Sequence, residues 1–269
     1  MIDSVMRFCV QSIAPLLTNA AFPGIIRMKN KGGISELAGM DMDIELYHQE
    51  KGSGDALILL HGNGESSDYF KYQIDYFQRS YRVIALDTRG HGKSPRGNAP
   101  FTLAQFACDL YEFMQQHRIS QAIILGFSDG ANIAMQFALR HPERVKALIL
   151  NGGNLNPAGV KRNVQIPIEI GYRIAKCFAS KSAKAQRNAE LLGLMVNEPH
   201  IQPSEFASLT MPALVICGTR DMIRESHTKQ IAEALPNAKL AILPGDHFVA
   251  RQNPAAFNRA VDAFLKTIG

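Results

Sequence analysis

The chain has 269 residues, of which 46 % are hydrophobic and 20 % charged, and its 29 basic and 24 acidic side chains leave a formal net charge of +5. That is enough apolar material for a substantial core, and it excludes a disordered chain. The basic residues are not gathered in a Lys/Arg run, which excludes nucleic acid as the expected partner.

Residues 1–24 are apolar enough to raise the question of a signal peptide or membrane anchor. Asp3 stands where a basic segment belongs, Gln11 and Ser12 interrupt the apolar run, and no stretch reaches the roughly 18 residues that cross a bilayer. Val5, Cys9, Ile13 and Leu16 fall at helical spacing instead. They predict an amphipathic extension over residues 1–40, packed against the body or a partner subunit of a monomer or homodimer. Contact with a membrane surface is the lesser expectation. Cys9, Cys108, Cys177 and Cys217 are far apart, lack metal-site spacing, and read as reduced core thiols of a cytoplasmic protein.

From about residue 42 short aliphatic runs alternate with longer amphipathic segments, the pattern of a parallel sheet covered by helices. Residues 42–48 alternate and predict an early antiparallel strand. Residues 56–60 (ALILL), 83–86 (VIAL), 122–125 (AIIL), 147–150 (ALIL), 213–216 (ALVI) and 239–243 (KLAIL) are hydrophobic throughout, as strands buried on both faces are. Residues 103–117, 131–140, 226–235 and 254–268 carry apolar side chains at three- and four-residue steps and predict helices. Residues 154–209 break the rhythm, with two helices and no strand-like run. The expected organisation is an α/β core over 41–153 and 210–269, a mostly parallel sheet flanked by helices. Residues 154–209 are then a helical lid over the carboxyl ends of the strands, where ligands of open α/β folds bind.

Gly126-Phe127-Ser128-Asp129-Gly130 follows the run AIIL and precedes a predicted helix. A tight strand-to-helix turn needs small residues two positions either side of its centre, and it lifts the central hydroxyl clear of the sheet. A hydroxyl is a poor nucleophile at neutral pH, so a base must take its proton. His247 sits in the loop after the last strand and before the closing helix. His61 and His91 lie in Gly-rich turns and are assigned packing roles. Asp221, after the run ALVI, is the expected partner that orients the imidazole. Asp246 is too near His247 in sequence to reach its ring, and Asp87 follows an earlier strand. Backbone N–H groups of Asn63, in the turn His61-Gly62-Asn63-Gly64, and of Asp129 are the expected oxyanion-hole donors.

Together, His61-Gly62-Asn63-Gly64, the segment Asp87-Thr88-Arg89-Gly90-His91-Gly92-Lys93-Ser94, the turn at Ser128, Asp221 and His247 resemble the α/β-hydrolase superfamily. The likeness runs from about residue 43 to the C-terminus. Its type is the lidded group of carboxylesterases, carbon–carbon bond hydrolases, cofactor-free perhydrolases and amino-acid ester hydrolases. The resemblance implies a mainly architectural role for residues 89–92, and residues 1–40 have no counterpart in it. The expected activity is hydrolysis of a small-molecule ester through an acyl-enzyme on Ser128, without cofactor or metal. The alternatives are carbon–carbon bond hydrolysis or perhydrolysis with the same triad, and a catalytically silent ligand-binding homologue. The absence of Trp counts against perhydrolysis. Asp129 resembles the Ser-Asp-Gly variant of amino-acid ester hydrolases, where a carboxylate could meet a substrate ammonium, although a dipole-complementing role is the stronger reading. Phe127, Tyr172, Phe178 and Leu194 are candidate substrate-pocket residues.

Overall fold

The computed structural model describes residues 43–268; the expected N-terminal extension, with Cys9, lies outside them. Seven strands form one sheet: β1 (His48–Lys51), β2 (Ala56–Leu60), β3 (Arg82–Leu86), β4 (Ala122–Phe127), β5 (Val145–Asn151), β6 (Ala213–Arg220) and β7 (Ala238–Asp246). Their order is β1-β3-β2-β4-β5-β6-β7. Every neighbouring pair is parallel except β1 with β3. The sheet is mostly parallel and flanked by helices, as the alternating pattern predicts, and this is the architecture that the resemblance implies.

Successive side chains of a strand point to opposite faces, and the hydrophobic runs serve both. Ile58, Leu60, Ile84 and Leu86 face a cluster completed by helices α2 (Leu103–Gln116) and α3 (Asp129–Arg140), through Phe106, Leu110, Phe113 and Phe137. Leu57, Leu59, Val83 and Ala85 face the other cluster, closed by α1 (Lys71–Phe77) and the C-terminal α8 (Pro254–Leu265) through Ile74, Phe77, Phe257 and Val261. Helix α6 (Glu225–Ala234) and the short α7 (Val249–Gln252) complete the layers.

Two expectations change. The antiparallel strand begins at His48 rather than 42, because Ile44 and Leu46 turn into the core while Asp43 reaches across to Arg89. The run at 239–243 is not buried on both faces: β7 is an edge strand, and Leu240 and Ile242 stay 38 % exposed. The described cysteines are unpaired, but only Cys217 is a core thiol, since Cys108 is half-buried and Cys177 exposed.

Between β5 and β6 the chain forms two long helices, α4 (Arg162–Phe178) and α5 (Ala183–Asn197), and no strand. Pro167 lies within α4, at its sixth residue. The insertion also concentrates charge. Residues 161–187 carry seven basic side chains and one acidic, which leaves 22 basic and 23 acidic in the remainder, so the spread of charge is far less even than the absence of a Lys/Arg run suggests. No helix among the described residues is long and apolar enough to cross a membrane.

Candidate active site

Ser128 ends the run of β4 with φ 54° and ψ −120°, a left-handed backbone that a non-glycine residue rarely adopts. The surroundings hold it there. A Cβ on Gly126 would overlap the Gly130 carbonyl, and one on Gly130 would overlap the carbonyl of Leu60 on β2. Strand and helix therefore pass at a separation only glycine permits, and the Ser128 N–H donates to Asn151 O on β5 at 2.8 Å. Helix α3 starts at the next residue, with its N-terminal dipole behind the hydroxyl.

The imidazole of His247 lies between two partners. Its Nε2 is 3.0 Å from Ser128 Oγ, and its Nδ1 is 2.7 Å from Asp221 Oδ1. Parallel strands explain the convergence: β4, β6 and β7 run the same way, and all three side chains follow their carboxyl ends. Asp221 is fixed by the backbone N–H of Ile223 at 2.9 Å. Gly152 lets the backbone lie against the ring, for a Cβ there would stand 2.7 Å from His247 Cε1. Burial by itself would depress the imidazole pKa, but the adjacent Asp221 carboxylate outweighs it and holds His247 above its ordinary value. Burial would likewise raise Asp221, and His247 outweighs this and lowers it. Asp246 instead accepts from Phe248 N and Gln252 Nε2. Asp87 accepts from the Ser67 and Lys93 N–H groups. His61 accepts from Thr88 N through Nε2, with Nδ1 on Gly62 O, so it pins two turns together.

The turn at Gly62 packs beside the elbow; a Cβ on Gly62 would sit 3.1 Å from Ser128 Cβ. The Asn63 and Asp129 N–H groups donate to no other group among the described residues, as oxyanion donors require. The Asn63 side chain bridges the core and the insertion, with Nδ2 2.9 Å from Asp129 Oδ2 and 2.8 Å from Leu191 O on α5. Asp129 is buried, raised by desolvation and held by Asn63 and Asn132. It does not line the cavity above Ser128. The carboxylate is turned to Asn63 and Asn132 instead.

That cavity has a volume of about 450 Å³ and is bounded by Ser128, His247 and the Gly62–Gly64 turn. Its apolar wall comes from Phe127, Ile168, Leu192, Met195, Met222 and Phe248. Of the four candidate pocket residues only Phe127 belongs to it, stacked on Tyr69 at 4.3 Å and 4.9 Å from the His247 ring centroid. Leu194 turns into the core with Ile201 and Phe206. Tyr172 packs on Gly193 and stands outside the lining, and Phe178 ends α4, three turns beyond Ile168. Helical phase decides these cases: Leu192 and Met195 face the cavity, whereas Leu194 between them cannot.

Three polar lining residues escaped sequence reasoning, Glu65, Arg251 and Gln252. Desolvation pushes Glu65 up to about 7, against the pull of Arg251 and His247. The available signal was adjacency: Glu65 follows the Gly62–Gly64 turn by one residue, and Arg251 is one helical turn past His247.

A family profile described as the alpha/beta hydrolase fold matches residues 55–170. The chain is 27 % identical to 3-oxoadipate enol-lactonase 2 of Acinetobacter baylyi over 83 % of its length and 94 % of the relative's. It is 28 % identical to a putative carbamate hydrolase RutD of Caulobacter, over 82 % and 95 %. Among solved structures, a thermophilic esterase of Thermogutta terrifontis superposes with a TM-score of 0.72 at 21 % identity, covering 84 % of this chain and 94 % of that one.

Proposed function

We propose, from the match of residues 55–170 to the alpha/beta hydrolase fold profile, that this chain is a serine hydrolase of that superfamily cleaving a carboxylic ester or related acyl bond of a small molecule. The observation that carries the reading is the unbroken hydrogen-bonded chain Ser128–His247–Asp221 at the floor of a cavity. In this mechanism Ser128 Oγ attacks the carbonyl carbon as His247 Nε2 takes its proton. The oxyanion is received by the Asn63 and Asp129 N–H groups. His247 then returns the proton to the departing alcohol, and a water repeats the sequence to release the acid and restore Ser128. Asp221 keeps Nδ1 protonated and stabilises the imidazolium. Helices α4 and α5 act as a lid: Ile168, Leu192 and Met195 supply the cavity's apolar wall.

A fluorophosphonate probe is expected to label Ser128, and wild-type protein to turn over short p-nitrophenyl esters. Absence of both would overturn the reading. Turnover of β-diketones without ester turnover would move it to carbon–carbon bond cleavage.

The pH dependence follows from which form is active. The base is neutral His247, and its pKa lies above the ordinary 6.5, so kcat/KM should rise with pH along a limb displaced above that value. Asp221→Asn removes the group that raises it. The limb should move down in pH, and kcat should fall by roughly 10³- to 10⁴-fold as the imidazole loses its tautomer. A pH–rate profile of the two proteins checks both.

A further inference from the structure

Beside the cavity above Ser128 lies a polar recess of about 580 Å³ that shares Gly64, Glu65 and Arg251 with it. Two oxygens there are buried and have no hydrogen-bond partner, Glu65 Oε2 and Tyr69 Oη. The Arg251 guanidinium, exposed at the junction, enters no ion pair or hydrogen bond among the described residues. Buried polar atoms left without partners beside a reactive centre call for a ligand that supplies them.

The chemistry of the three groups selects that ligand. Tyr69 is held well above its ordinary pKa by burial and then by Glu65, so it keeps its proton and can donate. Glu65, pushed up to about 7 by burial, is a carboxylic acid over much of the neutral range and can donate as well. Arg251 donates only. Lys71 and Arg187 line the same recess, and Asp68, which also lines it, is already taken by Gln49 Nε2 at 2.7 Å. A set of donors lining one recess, three of them unpartnered, fits an acceptor-only anion. The excess of basic side chains in residues 161–187 gives such a ligand a favourable field on approach.

We propose that the recess of Glu65, Tyr69 and Arg251 binds the carboxylate of an anionic ester or lactone while its acyl carbon lies over Ser128. The proposal rests on the serine-hydrolase reading and names its substrate class: half-esters and lactones of dicarboxylic acids rather than neutral esters.

The test is the ratio of kcat/KM for mono-p-nitrophenyl glutarate to that for p-nitrophenyl butyrate, because a ratio cancels the His247 limb common to both. In wild type the ratio should exceed one and fall as pH rises through 7, where Glu65 ionises and repels the substrate carboxylate. Arg251→Met should lower the ratio by about 10- to 100-fold, the worth of a charge-assisted hydrogen bond; any change common to both esters cancels in the ratio. Glu65→Gln keeps an N–H donor without the titration, so the ratio should stay high and lose its fall near pH 7. Rapid butyrate turnover with a ratio at or below one, or one that Arg251→Met leaves unmoved, overturns the recess and leaves the serine mechanism standing. Failure of both esters together with failure of probe labelling overturns the two readings at once.

Discussion

Replacing Ser128 by alanine is expected to lower ester turnover by roughly 10⁴- to 10⁶-fold while leaving a folded protein. The size follows from the geometry. His247 Nε2 stands 3.0 Å from the hydroxyl that it deprotonates in the proposed mechanism, and without that oxygen neither the proposed base nor the oxyanion donors have a nucleophile to act with. Alanine keeps the Cβ that already fits φ 54°, so the elbow carries no new strain. Circular dichroism and thermal melting should match wild type. The activity assay decides: a Ser128→Ala protein retaining more than a few per cent of wild-type turnover removes the residue from the mechanism.

The largest expected loss of stability comes from a site with no part in the chemistry. Arg89 is completely buried, and its Nε and Nη2 donate to the two Asp109 oxygens at 2.8 and 2.7 Å, with Nη1 on Asp43 at 2.6 Å. Arg89→Met strands the Asp109 carboxylate in the interior with Gln105 Nε2 as its remaining side-chain partner. Breaking such a pair from one side costs about 3–5 kcal/mol, a fall in Tm of roughly 10 °C for a chain of this size. The double variant Arg89→Met/Asp109→Leu should recover most of the loss, because it removes both charges rather than one. Thermal unfolding of the single and double variants measures the difference; a single variant as stable as wild type would show that the pair contributes little.

The meeting of Ser128, His247 and Asp221 was legible for a specific reason. Each of the three follows a hydrophobic run that can only be a buried strand, and parallel strands put their carboxyl ends at one rim. Strand runs plus three punctuating residues were therefore enough to place Ser128, Asp221 and His247 on the same side. The elbow was legible because glycine at 126 and 130 is a steric requirement, visible in composition before any coordinates.

Beyond Phe127, the pocket residues were not legible. Residue type within the insertion points to Tyr172, Phe178 and Leu194, but lining a cavity depends on helical phase and on where the helix axis lies over the sheet. Leu192 and Met195 line the cavity and Leu194 does not, and no property of leucine distinguishes them. Glu65 was missed because its character is environmental: a glutamate in a polar loop reads as solvated until the fold removes water from it.

Local chemistry written along the chain thus determined the layer architecture, the strand identities and the meeting of Ser128, His247 and Asp221 at one rim, because hydrophobic period and turn sterics act over a few residues. Tertiary structure alone decided the walls of the cavity, the edge exposure of β7, and the raised carboxyl and free guanidinium beside the serine. Those depend on which surfaces segments more than a hundred residues apart present to one another, and desolvation is a property of that meeting rather than of any residue.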